Sequence, residues 1–168
     1  MQKKSRLAAL GLGLTLLATP AFAGPPRAAQ TEEITVYVLP GRSGLPGPDG
    51  RRHDSFVPSS FVLKKGVPTE LRIINYDDGP HSMYAPGLNL DVLVMPGKRV
   101  PIEASVSPAP HSFIRPTVTT ATFTPAHAGI FRWHCTMPCD GENGHWAMSM
   151  SPLGPDQNGY MAGYFVVR

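Results

Sequence analysis

Short runs of β-branched and aromatic residues recur along the chain, separated by clusters of proline, glycine and charge. Glu33 to Leu39 (EITVYVL) has the composition of a strand. Ser60 to Leu63 and Thr69 to Asn75 (TELRIIN) read as two more, joined by a turn at Lys64-Lys65-Gly66. Asn89 to Met95 is a further β-rich run stopped by Pro96-Gly97, and Lys98 to Ala104 follows as a strand. Thr117 to Phe123 alternates as a half-buried strand does. Gly129 to His134 (GIFRWH) and Tyr160 to Val167 complete the pattern.

The intervals are polar or rich in turn formers. Pro40 to Asp54 reads as a long loop, Ser105 to Pro116 as an inserted loop, and Ser151 to Gly159 as a polar connection. Asp77-Asp78-Gly79-Pro80 is a turn signal that delivers His81 to the start of the next segment. No stretch sustains a helical period, no internal repeat is visible, and 19 prolines with 17 glycines disfavour a helical bundle. Roughly seven or eight short strands predict an all-β single domain, an antiparallel sandwich or Greek-key barrel.

The N-terminus carries an export pattern. Lys3, Lys4 and Arg6 precede an apolar run from Leu7 to Ala18, and Ala21-Phe22-Ala23 offers a small-x-small cleavage site. The run has about twelve residues, too few for a bilayer span, where roughly 20 are needed. The expected organisation is a cleaved signal peptide at 1–23, a disordered lead at 24–32 and one domain at 33–168, with no transmembrane segment after cleavage. Cleavage removes three of the 15 cationic residues and none of the 12 acids, so the mature chain is near neutral. That excludes the broad positive surface needed for nucleic acid. It also predicts an extracytoplasmic or periplasmic location.

Export changes the meaning of the only two cysteines, Cys135 and Cys139. An oxidising compartment favours disulfides, yet a C-x3-C loop is too small for a crosslink to remove much chain entropy. Metal binding or redox chemistry explains the pair better. The segment WHCTMPCDGENGHWAMS, from Trp133 to Ser149, adds His145 and Met148 within one loop's length. Zinc accepts two thiolates and two imidazoles. Methionine shifts the preference to copper, which takes thioether ligands, although Met148 alone also suits core packing.

Two separated segments carry a resemblance. HSMYAPGLNLDVLVMPGKR, from His81 to Arg99, resembles the first half of the dinuclear copper (CuA) domain of cytochrome c oxidase subunit II. FTPAHAGIFRWHCTMPCDGENGHWAM, from Phe123 to Met148, resembles its second half, and the CuA domain of nitrous oxide reductase is similar. The resemblance covers roughly Phe61 to Met148 and implies a cupredoxin-like Greek-key sandwich. It implies that Cys135 and Cys139 bridge two copper ions, that His81 and His145 bind one each, and that Met148 is a weak axial ligand. The carbonyl of Met137 would be the opposite axial ligand. The implied activity is single-electron transfer between a donor such as cytochrome c and a terminal oxidase or reductase, with no substrate turnover by this chain alone. In the family the histidine usually stands four residues after the second cysteine, whereas His145 stands six after Cys139. A mononuclear centre using one cysteine, both histidines and Met148 is the alternative.

Other readings are weighed on the same residues. Copper-delivery proteins with C-x3-C and a distant histidine use a fold with alternating helices, which the pattern lacks; a copper chaperone on a cupredoxin fold stays open. A thiol-disulfide oxidoreductase would want C-x2-C at a helix start and would leave His81 and Met148 unexplained. His53, His111 and His127 fall in loops and read as solvated, and His134 reads as lying behind the site or on the surface. Trp133 and Trp146 read as core or lid packing, with Trp146 a candidate point of electron entry over His145. Asp140 and Glu142 give a weak signal for a docking patch or calcium site, without the EF-hand spacing.

Overall fold

The computed structural model describes residues 30–102, 112–141 and 159–168. The leader, residues 24–29 of the lead, His111, Glu142, His145, Trp146, Met148 and all but the end of the 151–159 connection lie outside the described residues. In chain order the strands are β1 (Glu32–Leu39), β2 (Leu45–Pro46), β3 (Arg52–His53), β4 (Ser55–Val57), β5 (Ser60–Leu63) and β6 (Thr69–Asn75). There follow β7 (His81–Ala85), β8 (Leu90–Val94), β9 (Lys98–Pro101), β10 (Ser112–Arg115), β11 (Thr117–Phe123), β12 (Gly129–His134) and β13 (Ala162–Val167). Two short 3-10 turns, Gly41–Ser43 and Pro86–Leu88, are the helical elements among the described residues.

Four strands form one sheet in the order β11-β6-β1-β4, and five form a second in the order β5-β13-β12-β7-β8. Their inward residues meet in one core. Val36, Val38, Leu71 and Ile73 come from the first sheet, and Phe61, Leu63, Met83, Val94, Trp133 and Phe165 from the second. The period of two behind this is plain in β8, where Leu90, Val92 and Val94 are buried while Asp91 and Leu93 face out. Two ribbons, β2-β3 and β9-β10, complete the pairing.

The all-β expectation holds, with two refinements. The sheets are mixed, because β1 runs parallel to β6 and β5 parallel to β13. Parallel partners need crossover connections, so the chain passes between the sheets more often than a meander would. The segments read as loops also contain structure: Pro40 to Asp54 holds a 3-10 turn and the β2-β3 ribbon, and Ser105 to Pro116 holds β10, paired with β9.

One junction places the site. β6 ends at Asn75, whose buried side-chain amide donates to the carbonyls of Gly79 and Met95, while its Oδ1 accepts from the Asp77 N–H. That side chain closes the Asp77-to-Pro80 turn and brings the chain back as β7, opening on His81. β7 lies between β12 and β8, so His81 stands next to the end of β12, where Cys135 begins.

Candidate metal centre

The site is assembled from the start of β7 and the loop after β12. Cys135 extends the β12 ladder by one residue, its N–H donating to the Met161 carbonyl at 2.8 Å. The loop then turns back on itself, with the Cys139 N–H donating to the Met137 carbonyl at 2.8 Å. Ser82 pins the first half of this loop: its Oγ accepts from the Thr136 N–H at 2.7 Å and lies 2.9 Å from Thr136 Oγ1.

This geometry brings three soft or borderline donors together. Cys135 Sγ and Cys139 Sγ are 3.1 Å apart with no disulfide between them, and both are buried. His81 Nδ1 lies 2.9 Å from Cys139 Sγ, and the His81 ring is fully buried. The three donor atoms all lie within 4.8 Å of one another. The Met137 carbonyl stands 3.9 Å from Cys135 Sγ and the Pro80 carbonyl 3.9 Å from Cys139 Sγ. His145 and Met148, expected to complete the set, lie outside the described residues.

The electrostatics favour a thiolate and an imidazolium in the metal-free protein. The Cys135 pKa is lowered to about 4, first because the Cys139 thiol donates to it; burial opposes this, and His81, the Ser82 N–H at 3.2 Å and the Met137 backbone assist. The Cys139 pKa is raised, because its proton is held by the Cys135 thiolate and burial penalises a second negative charge. Burial works against charge on His81, yet the Asp77 carboxylate at 2.9 Å from Nε2 and the Cys135 thiolate push it up to about 9. Asp77 is lowered in turn: burial resists, and the hydrogen bond from His81 prevails.

The donor set fits a soft metal ion. Metal bonds to nitrogen and sulfur of about 2.0–2.3 Å require donors within roughly 4 Å of one another, and dry thiolate with imidazole suits copper or zinc. Asp77 completes the arrangement that metal-binding histidines use, a carboxylate on the nitrogen away from the ion. The floor is aromatic, with Phe56 edge-on to His81 at 6.1 Å and to Trp133 at 5.0 Å. Above it a cavity of about 260 Å³ is lined by Asp54, Asp77, His81 and Cys139 among others, with Arg42 and Arg99 also in its wall.

Two residues, His53 and Asp140, stand differently from their expectation. His53 is not solvated: it is fully buried, with Nδ1 2.8 Å from Asp140 Oδ2 and Nε2 2.9 Å from Asp49 Oδ1. Asp140 is buried with it and offers no docking surface. Trp133 is core, donating from Nε1 to the Ser59 carbonyl at 3.0 Å. His134 is half-buried, faces Tyr84 edge-on at 5.6 Å, and has its pKa lowered by burial and by Arg132. His127 is exposed. Sequence reasoning overlooked Asp77, Ser82 and His53 as functional residues. A signal for two of them was present, because Asp-x3-His occurs at Asp49/His53 and again at Asp77/His81.

Searched against protein-family models and against curated proteins, the chain has no match. Solved structures do resemble it. The crystal structure of a blue copper oxidase from Nitrosomonas europaea superposes with a TM-score of 0.50 at 15% identity, covering 83% of this chain and 39% of that one. A multi-copper oxidase from Pseudomonas thermotolerans gives a TM-score of 0.50 at 17% identity, covering 84% of this chain and 30% of that one. The chain therefore spans well under half the length of either protein. What they share with it is the fold, the cupredoxin-like Greek-key β-sandwich.

Proposed function

We propose that this chain is an exported copper protein whose centre, built on His81, Cys135 and Cys139, carries single electrons. The observation that supports this best is the pair of buried thiols with the His81 imidazole against them, in a sandwich of the kind found in copper oxidases. The finer reading is a dinuclear CuA-like site, with Cys135 and Cys139 bridging two copper ions, His145 as the second histidine, and Met148 and the Met137 carbonyl as weak ligands. Copper supplies the redox couple when bound. The chain's part is to hold the donors still in a dry pocket, so that little has to move when an electron arrives.

The same residues restrict what else the protein does. A site filled by protein donors leaves no position for a substrate, so the chain acts as a carrier between other proteins. A donor such as cytochrome c and a terminal oxidase or reductase are the partners this implies, met in the periplasm after removal of the leader. Among the described residues no helix is long and apolar enough to cross a membrane.

A mononuclear centre is the second reading, favoured by the fit of the three described donors around a single ion. Copper titration of the thiol-reduced protein, with ferricyanide oxidation of the loaded centre before EPR and visible spectroscopy, separates the two. Two ions per chain with a valence-delocalised spectrum support the dinuclear site, one ion supports the mononuclear site, and a colourless protein overturns the copper reading. Rapid transfer of the bound copper to an apo-oxidase, with no electron exchange with cytochrome c, would make the chain a delivery protein instead.

A further inference from the structure

A second buried histidine lies beside the centre and contributes no donor to it. His53, in β3, bridges two carboxylates: Nε2 lies 2.9 Å from Asp49 Oδ1, and Nδ1 lies 2.8 Å from Asp140 Oδ2. Asp140 directly follows Cys139 and sits in the left-handed region at φ 60, where a residue with a Cβ needs compensating bonds. Asp140 has them. Its N–H donates to Asp54 Oδ2, and the Asp54 N–H donates back to Asp140 Oδ1 at 3.3 Å. The Gly41 N–H in turn donates to Asp54 Oδ1, tying the ring to the 3-10 turn.

The arrangement repeats the one at His81. In both cases Nε2 is held by an aspartate four residues earlier, and Nδ1 points at the end of the C-x3-C loop. His81 meets Cys139, and His53 meets the next residue. We propose that His53, held by Asp49 and acting through Asp140, is a positioning clasp that sets where Cys139 presents its sulfur. The consequence for copper rests on the reading above; the effect on the thiol does not.

The physical need is clear from the loop. Nothing covalent joins Cys135 to Cys139 across their 3.1 Å separation, and the Cys139 N–H is already committed to Met137 within the loop. Residue 140 is one hold on the far end of the loop, besides the contacts of Cys139 Sγ with His81 and the Pro80 carbonyl. Release of Asp140 from its left-handed conformation turns the peptide next to Cys139 and carries the sulfur away from Cys135 and His81.

The test uses the full mature chain with His53→Gln, whose amide reaches only one of the two carboxylates, and Asp140→Gly. Glycine tolerates φ 60 without strain, so the loop can still form, but no side chain at residue 140 then holds it there. Asp49→Asn, at the exposed end, is the mildest of the three. Val36→Ala in the core strand β1 is the control for lost stability alone. In metal-free protein, Cys139 alkylation read by peptide mass spectrometry is expected to speed up several-fold in His53→Gln and Asp140→Gly, less in Asp49→Asn, and not in Val36→Ala. Copper affinity is expected to fall about 10- to 100-fold with shifted sulfur-to-copper bands, as when supporting partners of metal ligands are lost. Variants that melt earlier but keep the wild-type alkylation rate would overturn the clasp. A wild-type protein that binds no copper would overturn the function, while the alkylation result still decides the clasp.

Discussion

At the scale of single residues, the centre depends on which donors hold protons before the metal arrives. At pH 7 His81 is charged, because its pKa is raised to about 9; Cys135 is a thiolate, at about 4; and Cys139 keeps its proton. Metal ligands must be deprotonated, so copper binding at pH 7 is expected to expel about two protons from these three donors, one from His81 and one from Cys139. Calorimetry in buffers of different ionisation heat measures that number. Asp77→Asn removes the carboxylate that raises His81. An NMR titration of the imidazole in that variant should place its pKa below the wild-type value, and the proton count at pH 8 should fall accordingly. The candidate donors that the fold brings together, His81, Cys135 and Cys139, were legible in the sequence, because soft-donor chemistry is written in residue type. Asp77, Ser82 and His53 were not read so, since an Asp-x3-His spacing or a serine in a strand acquires its role only from the sulfur, imidazole or carboxylate the fold puts beside it.

At the scale of elements, the close approach of β13 to the chain before β5 is a tight constraint behind the site. Gly163 lies so near the Ser59 carbonyl and Trp133 Nε1 that a Cβ would collide with both. Gly163→Ala is expected to destabilise the protein by about 1–3 kcal/mol or more, as overpacking does. Trp133→Phe loses the bond from Nε1 to Ser59, but the Tyr164 N–H still donates to that carbonyl at 3.1 Å. The bond itself is worth only about 1 kcal/mol, so urea denaturation should rank Gly163→Ala as the worse of the two. Strands with one wet face were readable: β5, β6, β11 and β12 lie at the bounds their patterns predict. β7 was missed because four of its five residues are buried, which erases the alternation. β4 was missed because three residues after a polar stretch carry no period at all.

At the scale of the whole molecule, the sandwich was legible and its wiring was not. Pairings such as β1 with β6 and β5 with β13 join segments far apart in the chain, and no local pattern encodes which distant strand becomes a neighbour. The core that results is shared by both sheets. Phe165, fully buried and stacked on Phe61 at 5.1 Å, is a central member; Phe165→Ala should cost about 3–5 kcal/mol in equilibrium unfolding. Stability should also depend on pH through His53. Burial alone would lower its pKa, but Asp49 and Asp140 raise it above the ordinary 6.5. A raised pKa stabilises fully below the unfolded value, and the contribution is lost as pH rises through the folded value. The gap in melting temperature between wild type and His53→Gln should therefore be widest below about pH 6.5 and narrow above it.

The three donors also differ in when they become available. Cys135 and Cys139 are close in the chain, so their dithiol exists before any sandwich has formed. His81 joins it only after β7 has docked beside β12, a contact between segments about fifty residues apart. Cuprous ion offered during refolding would thus be captured first by the unfolded dithiol and only later enclosed by imidazole. Ligands that also bind the unfolded chain stabilise the native state less than their native affinity suggests. Early capture should accordingly leave the copper-loaded protein less stabilised, against guanidinium, than its folded-state affinity alone would give.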